Sequence, residues 1–269
     1  MPDPGAGLAS RRFLHGARAA LSGFGFALRH GRVLSLCLAA MVVYAAVWGV
    51  MLWLASHYDA RFAQAVLWQP TEAWWDAALW QITRVGAYVL FWVGAIAVAM
   101  ALAMPVLSPL FSLLADRVDA SYHGDDGAPM PPLPELLAEM LRGFGRALVL
   151  VAIQLGGSVG LWLAGLVLSF VVPPLGPIFT VLVGGSWNAL WVAMTLSGFA
   201  LENNRVDLRT QIGLLRGQLA QFVGFGVVAQ VLAWLPFSVP FLVVAATLLV
   251  CRLHDHGHCP LPVRSKLQS

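Results

Sequence analysis

Four stretches of this sequence run for twenty residues or more without a proline or a single charged side chain: Val33–Ser56, Val85–Met104, Ala147–Val172 and Ile178–Leu201. A helix rises about 1.5 Å per residue and a bilayer core is about 30 Å thick, so each run is long enough to cross a membrane. The rest of the composition agrees. Apolar residues make up 59% of the chain and charged residues 11%, against about 25% charged in a soluble domain. The sequence predicts an all-α, multi-pass membrane protein and excludes a soluble enzyme. Val33–Ser56, at 24 residues, exceeds the roughly 7–15 residues of a signal-peptide core and is expected to stay as an anchor.

Arginine and lysine set the orientation. Arg11, Arg12, Arg18, Arg29 and Arg32 precede the first run, while only Arg61 and Arg84 lie between the first and second. Arg117, Arg142 and Arg146 follow the second run, and Arg205, Arg209 and Arg216 the fourth. Arg252, Arg264 and Lys266 close the chain. Alternate loops therefore hold fourteen basic residues on one side and two on the other. The rich side is expected in the cytoplasm, with both termini.

Two apolar stretches turn on prolines of the same spacing, Pro173/Pro177 and Pro236/Pro240. The second, Phe222–Val250, has arms of roughly 15–21 Å, too short to span. It reads as a hairpin that enters and returns, which irregular backbone permits only inside protein or beside water. Between Tyr58 and Gln81 lie Trp68, Trp74, Trp75 and Trp80. That region reads as a short interfacial helix starting at Pro70-Thr71, with tryptophan at headgroup level.

Ser10–His30 has helical periodicity. Arg11, His15, Arg18, Ser22, Gly25 and Arg29 form one face, and Phe13, Ala17, Ala20, Leu21, Phe24 and Leu28 the other. This is a basic amphipathic helix suited to an anionic leaflet. After the second run, Ser108 and Pro109 are expected to cap and start a new helix. A Pro-rich connector, Pro129–Pro134, and an amphipathic helix from Leu136 to Phe144 lead into the third run. The expected organisation is a tail over 1–9, one membrane domain over 10–256 and a cytoplasmic tail over 257–269.

Chemistry is sparse. No phosphate loop, metalloprotease helix or nucleophile elbow is present, and no cofactor or nucleic-acid partner is indicated. His254-Asp255-His256-Gly257-His258-Cys259 is the one group of potential ligands, but its spacing fits no standard zinc site, so a flexible tail is the expected reading. Gln154, Ser158, Asn188 and Gln230 are polar groups within the apolar runs, expected to bond between helices. Gly156 and Gly160 have the spacing of a close helix contact.

Several segments carry a resemblance. Ser108-Pro109-Leu110-Phe111-Ser112-Leu113-Leu114-Ala115-Asp116-Arg117-Val118-Asp119 follows the second run, and Glu202-Asn203-Asn204-Arg205-Val206 follows the fourth. Phe225-Gly226, Pro236, Pro240 and Ala246-Thr247 complete the set. In this order they resemble the CysZ-type sulfate permeases, relatives of the eukaryotic etoposide-induced membrane proteins, over roughly Phe13 to His256. The resemblance implies two long spans with helical hairpins that enter partway, a homo-oligomer in a bacterial inner membrane, and sulfate uptake for cysteine synthesis. The family's Pro-Gly-x-Arg aligns with His30-Gly31-Arg32-Val33, so the glycine is kept and arginine stands one position early.

The expected function is a permease or channel for sulfate or a related oxyanion, and not an enzyme. Gly31, Arg32 and Arg29 are the expected anion-binding residues, with Arg117 and Arg205 as second candidates. The expected partners are the anion, membrane lipids and further copies of the chain. The alternative is a non-transporting membrane scaffold of the same fold.

Overall fold

A computed structural model describes residues 4–66, 74–125, 133–204, 206–233 and 235–257. Every regular element among them is helical: α1 (Pro4–Arg29), α2 (Gly31–Val66), α3 (Trp74–His123), α4 (Leu133–Val171), α5 (Leu175–Phe179), α6 (Gly185–Asn203), α7 (Leu208–Gly217), α8 (Leu219–Ala233) and α9 (Val239–Asp255). A π-helical turn, Thr180–Gly184, joins α5 to α6, and a 3-10 turn, Pro236–Ser238, precedes α9.

Three stretches are long and apolar enough to cross a membrane: Gly31–Asp59, Ala152–Val171 and Leu175–Asn203. They correspond to the first, third and fourth predicted runs. The second run, Val85–Met104, lies wholly within α3. The all-α, multi-pass reading therefore holds. Large apolar side chains on α4 and the start of the next span, among them Leu155, Trp162, Val167, Phe170 and Val181, are exposed. A lipid-facing surface accounts for such an arrangement.

The chain divides into two compact units, one of residues up to Met41 and from Ser108 onward, the other Val42–Leu107. The core of the first unit is α9, apolar on all sides and sheathed by its neighbours, with Leu242, Val243, Val244, Ala245, Ala246 and Leu249 fully buried. Around it α1, α6 and α8 approach by backbone contact at small residues. A Cβ on Gly16 would lie 1.9 Å from the Gln221 carbonyl oxygen, and one on Gly224 would lie 2.1 Å from that of Phe13. Gly23 meets the Phe241 carbonyl and Gly226 the Ala189 carbonyl in the same way. Such contacts exclude any side chain and supply the close packing that holds membrane helices together.

Several local expectations are revised. The chain is helical straight through Pro105–Pro109, so Ser108 does not cap a new helix there. Membrane helices tolerate internal proline because neighbouring groups re-satisfy the freed carbonyls. The boundary between the two units falls in this same segment. No separate interfacial helix appears among the described residues, since Tyr58 continues α2 and Trp75 and Trp80 belong to α3. Trp68, Pro70 and Thr71 lie outside the described residues. In that second unit Arg61 sits over the Tyr58 ring and Arg84 over the Trp80 ring, at 5.5 and 5.1 Å.

The last apolar stretch does turn at its prolines. Pro240 occupies the first turn of α9, where a missing N–H costs no helical bond. The Ser238 hydroxyl closes the turn by donating to the Leu232 carbonyl at 2.6 Å. The arms are 15 and 17 residues, so they measure about 22 and 26 Å, longer than expected.

Candidate functional site

The expected anion-binding residues meet at one joint. Arg29 ends α1, Gly31 begins α2, and His30 alone lies between. The His30 backbone N–H donates to the Ala27 carbonyl at 3.2 Å, and its own carbonyl accepts from Leu34 N–H at 3.0 Å. The imidazole Nδ1 donates to the Phe26 carbonyl at 2.9 Å while its ring stacks on Phe26. His30 thus hinges two helices and is held by α1. The N–H groups of Gly31, Arg32 and Val33 precede the first helical bond of α2, so they form its electropositive end.

Arg29, Gly31 and Arg32 are all exposed. The space beside Gly31 is open, with nothing within 4 Å of where a Cβ would stand. Val33 is fully buried. The arginine one position early is therefore the one that faces outward, and the family's position is occupied by a core side chain. Two permanently charged guanidiniums beside a helix N-terminus make an arrangement suited to an oxyanion. Arg117 is half-buried on α3, and Arg205 lies outside the described residues.

A second site was not visible as a site in the sequence. Ser112 donates to Asn203 Oδ1 at 2.7 Å, and Asn203 Nδ2 returns bonds to the Ser112 carbonyl at 2.8 Å and to Asp116 Oδ1 at 2.9 Å. Two segments quoted separately for the family resemblance, 91 positions apart, are thus one hydrogen-bonded unit. The only signal was polar side chains at the ends of two apolar helices. Beside them is a cavity of about 10 Å³ lined by Asp116, Asp119, Asn203, Asn204, Thr247 and Cys251, room for about one water. Asp119 faces the Cys251 thiol at 3.5 Å and His123 Nδ1 at 3.0 Å. Tyr122 donates to Asp255 Oδ2 at 2.6 Å, which pushes the phenol up to about 12. Three carboxylates repel an anion. This site ties α3 to α6 and α9.

The polar groups of the hairpin behave as expected in part. Ser158 donates to Asn188 Oδ1 at 3.2 Å, linking α4 to α6. They line a cleft of about 420 Å³ with Trp162 and Thr180. The close helix contact is made elsewhere than expected. Gly156 and Gly160 face open space, while Gly157 lies against the Trp187 ring and Gly165 against Thr180. At the chain end, His254 and Asp255 finish α9, and His258 and Cys259 lie outside the described residues. Among the described residues no group of His, Cys, Asp and Glu is arranged to hold a metal ion.

A family model described as "Sulfate transporter CysZ/Etoposide-induced protein 2.4" matches residues 19–246. No curated protein matches the chain.

Proposed function

The chain belongs to the sulfate transporter CysZ/etoposide-induced protein 2.4 family, and from that membership we propose that it is a permease or channel for sulfate or a closely related oxyanion. We infer further that it works in a bacterial inner membrane with both termini in the cytoplasm, supplies sulfur for cysteine synthesis, and assembles as a homo-oligomer. The orientation rests on the fourteen-to-two division of basic residues.

The observation that carries the reading is the α1–α2 joint. Arg29 and Arg32 are exposed on either side of a glycine with open space beside it. An arriving oxyanion meets two guanidiniums and the electropositive end of α2. Gly31 allows the anion to approach the backbone closely. No covalent step is required: the arginines attract and orient the anion, and passage returns the protein to its starting state.

The test is radiolabelled sulfate uptake into liposomes that hold the purified protein. Uptake above empty liposomes is expected. Arg32→Ala removes charge-assisted bonds worth about 1.5–3 kcal/mol, so uptake at limiting sulfate should fall roughly tenfold or more. Full uptake by folded Arg32→Ala would remove this residue from the path. Uptake equal to empty liposomes from folded wild type would sink sulfate transport and leave the scaffold reading.

A further inference from the structure

Two helices of the first unit present outward faces that suit neither water nor hydrocarbon. On α1, Leu14, Leu21 and Leu28 are 54%, 55% and 69% exposed. Their seven-residue spacing places them along one line, drifting by only ~20° per step. Exposed Arg11, Arg18 and Arg29 run beside that line. On α7 and the first residue of α8, Leu208, Ile212 and Leu219 are exposed together with Arg209 and Arg216. The opposite sides are buried: Gly16, Ala20, Gly23 and Ala27 on α1, and Gln211, Leu214 and Leu215 on α7. Neither helix contains a carboxylate.

A row of leucines is poorly placed in water, and a row of arginines is poorly placed among acyl chains. The headgroup boundary satisfies both, because the leucines enter the acyl margin while the arginines reach phosphate. The orientation of α7 fits that position. It is bent 95° from α8, an uncharged apolar helix. An amphipathic helix set across an apolar one lies in the plane of the interface when the apolar one enters the bilayer.

We propose that the outward faces of α1 and α7 dock on an anionic phospholipid surface, with Arg11, Arg18, Arg209 and Arg216 holding headgroup phosphates. Charge complementarity selects the partner, since two helices with exposed arginines and one flanking carboxylate, the Asp207 cap of α7, favour anionic over zwitterionic headgroups. Each arginine near such a surface contributes about fivefold to binding.

The test uses the full chain, purified and equilibrated with mixed micelles of phosphatidylglycerol and phosphatidylcholine. Retained lipid is then quantified by mass spectrometry. Arg11→Gln with Arg18→Gln, and Arg209→Gln with Arg216→Gln, are compared with Arg61→Gln plus Arg84→Gln, which removes equal charge from the other unit. Wild type and the Arg61/Arg84 variant should retain phosphatidylglycerol over phosphatidylcholine. The other two variants should lose it by about fivefold per arginine removed, with unchanged thermal unfolding because the substituted side chains are exposed. Equal retention by every variant, or no preference between the two lipids, would overturn the proposal. So would displacement of phosphatidylglycerol by inorganic sulfate at constant ionic strength, which would assign these arginines to a free oxyanion.

Discussion

At the scale of single residues, the positions that matter most are defined by what cannot be added to them. Phe225-Gly226 is the clearest case. Phe225 is fully buried, and a Cβ on Gly226 would fall 1.8 Å from the Ala189 carbonyl oxygen. The obstacle is backbone, so α8 and α6 would have to separate. Gly226→Ala should therefore cost about 3 kcal/mol, the upper end of overpacking penalties. Gly25→Ala is the natural comparison. It also lies inside a helix, but nothing stands within 4 Å of its Cβ position, so it should be neutral or stabilising by up to ~1 kcal/mol. Thermal unfolding of the two variants in one detergent decides the matter. Equal midpoints would show that α6 and α8 are not in backbone contact. Val33 teaches the converse lesson. The sequence places it where arginine is expected, and its complete burial leaves the neighbouring Arg32 as the exposed side chain.

At the scale of elements, the long helices were legible because a run of about twenty apolar residues has few alternatives. Boundaries were less legible, and the reasons differ. Pro105 and Pro109 signal a break in water, but a membrane helix absorbs them and α3 runs through. The proposed anion-binding residues, Arg29, Gly31 and Arg32, are neighbours in sequence, whereas the Ser112–Asn203–Asp116 unit depends on contacts between distant segments that no local pattern encodes. The short helix α7 has no apolar run to announce it, although its start carries an ordinary capping signal. Asp207 accepts bonds from the Thr210 backbone and hydroxyl, and these hold its carboxyl below the ordinary carboxylate range. A carboxylate stabilised in the folded state supports the helix at pH values above that range and loses its contribution as pH falls through it. Hydrogen exchange should show α7 amides protected at pH 6 and less protected near pH 3, after allowance for intrinsic rates. Asp207→Asn keeps an acceptor that does not titrate, so its protection should stay level. A level profile in wild type would mean that the cap does not hold α7.

At the scale of the whole molecule, α1 decides how the first unit is built. Its sequence reads as a basic amphipathic helix on an anionic leaflet, with Leu21, Phe24 and Leu28 on the apolar face. The side packed on the protein proves to be made of small residues. Gly16, Ala20, Gly23 and Ala27 are buried, while Leu21 and Leu28 face outward. Hydropathy alone misses this, because glycine and alanine contribute little to an apolar face yet permit backbones to meet. Phe24 still serves the packed side by stacking on Phe241 at 4.7 Å. The helix therefore has two separable roles, and substitutions on its two faces should behave differently. Gly23→Val would push a branched side chain into the Phe241 carbonyl, 2.2 Å from its Cβ. No rotamer relieves a clash at Cβ, so α1 must leave α9 and expose buried neighbours. Loss of several kcal/mol of stability is expected, together with new protease cleavage within α1. Arg11→Gln with Arg18→Gln changes only the exposed face and should leave both stability and cleavage as in wild type. Limited proteolysis of the two proteins in the same micelles makes the comparison. Rapid cleavage of α1 in wild type itself would show that the helix is a detachable anchor, and the glycine contacts would then be incidental to the fold.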